Sequence, residues 1–218
     1  MSLDAAEQVH RQFLEALESG TARRRSNLGL KDVGLATDRA AALFRSQALS
    51  RQLDRVSRKL QARGEGFYTI GSSGHEGNAV LAEVLRTDDI AFLHYRDAAF
   101  QIHRAHRVPG ENPAWDMLLS FTASMDDPIS GGRHKVLGSK RLFIPPQTST
   151  IASHLPKAVG AAFSIGIARR MGFEGTVLAK DGVVLCSFGD ASANHSTALG
   201  AINTACWAAF QGTQMPII

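Results

Sequence analysis

The run Val183-Val184-Leu185-Cys186-Ser187-Phe188, closed by Gly189-Asp190, constrains this chain more than any other segment. It is of strand length, largely apolar, and follows neither the helical period nor a polar–apolar alternation. Such a segment is stable as a strand covered on both faces, which calls for helices on either side of a mainly parallel sheet. The neighbouring sequence supplies those parts in order. An apolar helical face runs from Ala79 to Leu85, Asp88-Asp89 ends it, and Ile90-Ala91-Phe92-Leu93 reads as a short buried strand reaching His94-Tyr95-Arg96. Helices are predicted at about 97–107, 114–121, 151–171 and 194–211, and Met215-Pro216-Ile217-Ile218 reads as the start of a further strand. Helix and strand alternate, so the fold class is α/β, a parallel sheet flanked by helices. The last residue falls inside that strand, and the chain therefore reads as truncated at its C-terminus.

Ahead of this lies a helical lead-in. Val9, Phe13, Leu14 and Leu17 fall on one side of a short amphipathic helix over 3–18, and a loop runs from Gly20 through Arg23-Arg24-Arg25 to Gly34. A long helix starts near Asp38 with the stripe Leu49, Leu53, Val56, Leu60 and stops at Gly64-Glu65-Gly66; it is read as support rather than chemistry. Residues 1–65 thus form a helical N-terminal extension and 66–218 the main domain. Within the latter, Ser73-Gly74-His75-Glu76 fits a capping box. Thr122 to Thr150 shows no convincing periodicity, and a stretch of that length without regular structure is usually functional or disordered. Ala158, Gly160-Ala161-Ala162 and Gly166 line one side of helix 151–171 with small residues, which admit a second backbone, and this side is expected to seek a partner chain.

Charge and cysteines narrow the class. The net charge of +4 comes largely from arginines in the first 65 residues, but acidic residues are interleaved, which suits a solvated helix face better than a nucleic-acid surface. Cys186 and Cys206 have apolar neighbours and no metal-ligand spacing, as expected of reduced, buried thiols in a cytoplasmic protein. No apolar run approaches the roughly 18 residues that cross a bilayer, so no membrane partner is expected. Asp4, Glu7, Glu15 and Glu18 argue against a transit peptide.

In an open parallel sheet, ligands bind outside the carboxyl ends of the strands. Two strand ends carry suitable groups. In Gly189-Asp190-Ala191-Ser192 a glycine turn and small residues lead into a helix start, whose N–H groups favour phosphate oxygens, while Asp190 offers a hard oxygen ligand for magnesium. In Tyr95-Arg96 a guanidinium fork and a phenol suit a phosphate. Taken singly, each also suits an ordinary turn or a surface arginine.

In combination they are more specific. Gly74-His75-Glu76-Gly77, His94-Tyr95-Arg96-Asp97-Ala98, Gly131-Gly132-Arg133-His134, Thr148 through Ala162, and Gly189-Asp190-Ala191-Ser192 occur in one order. Over about residues 66–218 the chain resembles the alpha part, or the N-terminal half of a fused alpha–beta chain, of the thiamine-diphosphate-dependent decarboxylating component of 2-oxo acid dehydrogenase complexes. The resemblance implies the thiamine-diphosphate-binding fold, with thiamine diphosphate and magnesium as cofactors. By it, Tyr95 and Arg96 hold the diphosphate and Asp190 the magnesium. Gly189, Ala191 and Ser192 line the diphosphate, and Ser149 and Ile151 meet the aminopyrimidine side, Ile151 helping to bend the cofactor. It implies a beta part, a lipoyl-bearing acyltransferase as acyl acceptor, and a homo- or hetero-oligomer. Asn203 matches an Asn of the helix after the Gly-Asp turn.

There are departures. Ala191 stands where the family usually has a second glycine, the Asn pair that closes the motif does not occur before Ile218, and 207–214 is longer than usual. The segment alone is therefore expected to be inactive and to order its 122–150 loop only with cofactor. His75, His94, His134 and His154 lie in matching motifs, His154 in place of a common Gln; none is assigned as catalytic. Two rivals stay open: an acetoin-type or other thiamine-diphosphate enzyme of the same fold, and a non-catalytic basic binding module.

Overall fold

A computed structural model describes residues 5–22, 27–67 and 70–218; the Arg23–Arg25 run lies outside them. Backbone contacts divide the chain into two compact units at Ala40/Ala41. The first contains helix α1, Ala5–Glu18, and a short 3-10 turn, Leu30–Val33. That turn is tied by the Gly29 N–H, which donates to the Asp32 carboxylate at 2.6 Å.

Helix α2, Thr37–Ala62, passes into the larger unit. The sequence places a boundary near residue 65. Beyond its first turn, however, α2 contributes Leu53 to a core with Ile102, Met117, Phe121 and Leu137. Its buried face is Leu43, Ser46, Ser50, Leu53, Asp54 and Ser57, rotated from the expected stripe, so that Leu49 and Val56 each remain 38% exposed. The rotation has a polar cause. Ser46 Oγ hydrogen-bonds His103 Nδ1 at 3.0 Å, and the Asp54 carboxylate accepts from Ser72 N–H (2.6 Å) and Ser72 Oγ (2.7 Å). Buried polar groups must be satisfied, and these partners lie on only one side of the helix.

After Gly71-Ser72 the chain makes a 3-10 turn, Glu76–Asn78, and helix α3, Ala79–Val84. The expected capping box does not form: Glu76 Oε2 instead accepts from Gly74 N–H (2.9 Å), while Oε1 lies 3.1 Å from Ser72 Oγ and pairs with Arg51. Strand β1, Ala91–Phe92, follows, then α4, Ala98–Ala105, and α5, Pro113–Phe121. Residues 122–150 are not without structure. Strands β2, Leu137–Ser139, and β3, Ile144–Gln147, form an antiparallel pair with a bulge at Gly138, where an added Cβ would sit 3.0 Å from Pro146 Cα. Prolines in β3 hid the hairpin, since the strand template penalises them.

Helix α6 is Leu155–Met171; residues 151–154, expected to be helical, form a turn in which Ala152 has φ 58°. Strand β4, Leu185–Cys186, pairs in parallel with β1, Ala91 opposite Leu185 and Phe92 opposite Cys186. On its other side Val184 bridges Ile217 in parallel, and Cys186 N–H donates to Ile218 O at 2.9 Å. β4 therefore has a parallel neighbour on each side, strand β1 on one and the isolated Val184–Ile217 bridge on the other. The pleat sends alternate residues to opposite faces. Ala91, Leu93 and Leu185 pack with Phe100 and Ile144 on one side, while Phe92 and Val184 meet Ala158, Ala162 and Ile165 of α6 on the other. A fully buried side chain such as Phe100 contributes about 1.5–3 kcal/mol through this packing.

Part of the small-residue side of α6 is used within the chain, while Gly160 stays exposed. Ala158 and Ala162 touch the sheet, and a Cβ on Gly166 would lie 2.1 Å from Gln214 O. A 3-10 turn, Asp190–Asn194, then leads from β4 into α7, Ser196–Phe210, whose Ala198 and Ala201 pack on Leu155 and Val159. Cys186 is half-buried and Cys206 exposed, both free, so the expectation of a buried thiol fails for Cys206, which lies on an outward face of α7. Among the described residues no helix is long and apolar enough to cross a membrane.

Candidate functional site

The carboxyl ends of β1 and β4, brought side by side by their pairing, carry most of the residues singled out by sequence. Leaving β1, His94, Tyr95 and Arg96 turn into α4. Leaving β4, Ser187, Phe188 and Gly189 turn into Asp190. Arg96 and Tyr95 are half-buried, with the guanidinium carbon 5.5 Å from the Tyr95 ring centre and Arg96 Nη1 donating to Gly71 O at 2.5 Å. Among the described residues Arg96 has no carboxylate partner, so its charge is available to an anion. Asp190 is exposed and its carboxylate is bonded to no described residue. Ala191 is exposed and Ser192 buried, both in the Asp190–Asn194 turn. Ser149 and Ile151 lie on the turn between β3 and α6, Ile151 51% exposed; the turn, not helix α6, therefore presents them. Asn203 is exposed on α7.

Between the two strand ends lies a polar layer. Asp97 is fully buried and accepts from His94 N–H (2.7 Å), Asn78 Nδ2 (2.8 Å) and His75 Nδ1 (2.7 Å). His75 stacks on His94 with ring centres 4.6 Å apart, and His94 lies against Tyr95 at 3.8 Å. A Cβ on Gly189 would lie 3.4 Å from His94 Nε2, at ordinary contact distance. Burial first, and then the neighbouring His75, lowers His94 from the usual 6.5 to about 4. His154 is also lowered by burial, although its Nε2 donates to Ser187 O at 2.7 Å. Both rings are thus neutral near pH 7, and the Nδ1 atom of each is buried without a partner among the described residues. His134 stands apart from this layer, its Nδ1 3.1 Å from Phe121 O.

Asp97, Asn78 and Ser187 were not singled out from the sequence. Their neighbours inside the same motifs were the available signal: Asp97 follows Arg96 directly, and Asn78 follows Gly77. Among the described residues no group of three or more His, Cys, Asp or Glu side chains is placed to hold a metal. One carboxylate is nonetheless a usual protein share for magnesium, which completes its shell with water and phosphate oxygens.

Parallel strands covered by helices on both faces define an α/β protein, a class in which ligands bind outside the carboxyl ends of the strands. Comparison with known proteins takes this further: residues 44–211 match the family model described as dehydrogenase E1 component, and the chain belongs to that family. It is 26% identical over 177 residues to the mitochondrial 2-oxoisovalerate dehydrogenase subunit alpha of Mus musculus, covering 80% of this chain and 36% of that protein. The Homo sapiens counterpart is 26% identical over 178 residues, covering 80% and 36%. The 2-oxoisovalerate dehydrogenase subunit alpha of Bacillus subtilis (strain 168) is 27% identical over 167 residues, covering 75% and 46%. The chain spans less than half the length of these curated relatives. Its resemblance to the alpha part of the E1 component is thereby established.

Proposed function

We propose that this chain forms the diphosphate- and magnesium-binding side of a thiamine-diphosphate-dependent 2-oxo acid dehydrogenase. The observation that carries the proposal is the placing of Tyr95-Arg96 and Gly189-Asp190 at the ends of two hydrogen-bonded parallel strands, where, among the described residues, Arg96 has no carboxylate partner and the Asp190 carboxylate no hydrogen bond. The donor set fits the group: a guanidinium and a phenol for phosphate oxygens, one hard carboxylate for magnesium, and a glycine-led turn that leaves the backbone approachable. Gly189, Ala191 and Ser192 line the diphosphate, and Ser149 and Ile151 face the aminopyrimidine side. When bound, the cofactor supplies the nucleophilic carbon and the electron sink for decarboxylation.

The protein's own part is to hold, orient and exclude water. The neutral His94 beside Gly189 adds no positive charge to compete for the phosphates, and its stacking between His75 and Tyr95 stiffens the wall on which the Tyr95 phenol is mounted. The named relatives favour a branched 2-oxo acid as substrate. A beta part completes the site, and a lipoyl-bearing acyltransferase takes the acyl group.

The test is cofactor titration of the enzyme assembled with its beta part. Arg96→Ala is expected to weaken thiamine diphosphate binding by about 1.5–3 kcal/mol, the range for a charge-assisted hydrogen bond, with the fold retained. Asp190→Ala is expected to abolish the magnesium dependence of binding. Unchanged affinity in both variants, or decarboxylation that survives removal of cofactor and metal, overturns the proposal.

A further inference from the structure

Tyr95 and Arg96 are the two central residues of a four-residue turn, and Asp97 closes that turn twice. Asp97 N–H donates to His94 O at 2.9 Å, the ordinary bond of such a turn, and His94 N–H donates back to Asp97 Oδ2 at 2.7 Å. The carboxylate thus satisfies a buried N–H at the point where the chain has left β1. Its other oxygen is committed elsewhere. Oδ1 accepts from His75 Nδ1 at 2.7 Å and from Asn78 Nδ2 at 2.8 Å, at the two ends of the Glu76–Asn78 turn. The Asn78 amide gives its second proton to Ser187 Oγ at 3.1 Å. Ser187 is fixed on two further sides, its N–H donating to Phe92 O at 3.0 Å and its carbonyl accepting from His154 Nε2 at 2.7 Å. Gly189 and Asp190 follow at once. One buried carboxylate therefore joins the turn that carries Tyr95 and Arg96 to the residue that leads into Gly189-Asp190. The guanidinium has a tether of its own at Gly71 O, so what Asp97 fixes is the backbone from which the Tyr95 and Arg96 side chains extend.

We infer that Asp97 is a positioning residue for diphosphate binding, a role that rests on the cofactor reading proposed above: it sets the spacing between the arginine turn and the Gly-Asp turn. An anion gripped at one end by Arg96 and at the other, through magnesium, by Asp190 needs the two at a fixed separation, and a misplacement of about 1 Å is costly. Asparagine is the sharpest probe, because it keeps the size and changes one atom. Its Nδ2 must turn either towards the His94 N–H or towards Asn78 Nδ2, donor against donor, so one of the two ties opens whichever way the amide lies.

Thiamine diphosphate is titrated, with magnesium at saturation, into the enzyme assembled with its beta part, as the parent and as Asp97→Asn, Arg96→Ala and the double variant. Asp97→Asn is expected to weaken binding by about tenfold, the loss of one hydrogen bond to a charged group, and to raise the cofactor KM by more than it lowers kcat. On the Arg96→Ala background the same change is expected to cost less than about threefold, since the side chain it positions is gone; losses that multiply are those of a carboxylate serving structure alone. Parent affinity in Asp97→Asn, or losses that multiply, overturns the inference, while a weakened Arg96→Ala leaves the cofactor reading standing. Parent affinity in Arg96→Ala overturns the inference too, and if Asp190→Ala is likewise unchanged the cofactor reading falls with it. Should Asp97→Asn not fold, Asn78→Ala takes its place: it cuts the link to Ser187 and is expected to weaken binding by about threefold, and parent affinity there overturns the inference.

Discussion

Replacing Gly166 by alanine sets two effects of known size against each other. Alanine is the best helix former and is worth up to about 1 kcal/mol over glycine in a helix interior. At Gly166, however, the new Cβ would meet Gln214 O at 2.1 Å, Gln214 C at 3.1 Å and Thr213 Cγ2 at 3.3 Å. The first contact is about 1 Å inside any tolerable approach, and its partner is backbone, which cannot swing aside like a side-chain tip. Either α6 or the 213–217 segment must move. The latter feeds the Val184–Ile217 bridge and the Cys186 N–H bond to Ile218, so the movement loosens the sheet as well. Overpacking of this kind costs about 1–3 kcal/mol, so set against the propensity gain the net loss is up to about 2 kcal/mol. Gly160 lies six residues earlier on the same helix, and a Cβ there meets nothing within 4 Å. Gly160→Ala should therefore stabilise by up to about 1 kcal/mol. Urea unfolding followed by circular dichroism, with both variants run beside the parent, separates the cases. If Gly166→Ala matches or exceeds the parent midpoint, the close approach of α6 to residue 214 is wrong.

Other outcomes follow from the polar layer and its supports. His94 is held near 4 when folded but titrates near 6.5 when unfolded, so below pH 6.5 the unfolded chain binds the extra proton. Stability should thus be full above about pH 6.5 and fall by on the order of 2–3 kcal/mol as pH drops towards 4; denaturant midpoints that stay flat across that window would contradict a buried neutral His94. Asp54→Ala removes the acceptor for two Ser72 groups and should cost about 1–3 kcal/mol, with faster hydrogen exchange at the Ser72 amide as its local signature. Ser46→Ala should cost about 1 kcal/mol, because it strips His103 of a buried hydrogen bond; an unchanged melting temperature would show that the rotated face of α2 is held by packing alone.

What was legible in the sequence follows from the range of the forces involved. The Val183–Phe188 run predicted a central parallel strand because its cause, burial on both faces, is written in consecutive residues. The same holds for β1 and for α4, α5 and α7, whose ends agree with expectation to within a few residues. The rotated face of α2 was not legible, because Ser46 and Asp54 are buried by partners 57 and 18 residues away, which helical periodicity does not see. The hairpin at β2 and β3 was hidden by its own prolines. In the candidate site the ends of the two strands were found by motif, but Asp97, which organises the layer between them, was passed over. An aspartate after an arginine reads as an ordinary helix start until His75 and Asn78 are seen to converge on it.

Those prolines also bear on what the molecule avoids. β3 carries Pro145 and Pro146 in succession, and neither has an N–H to offer a neighbouring strand. Successive N–H groups of a strand point to opposite edges, so each edge of this short strand lacks one donor. The side of β3 away from β2, where Phe143 O already accepts from Ala91 N–H at 3.2 Å, is therefore a poor template for edge-to-edge aggregation, a protection built into backbone chemistry rather than into surface charge.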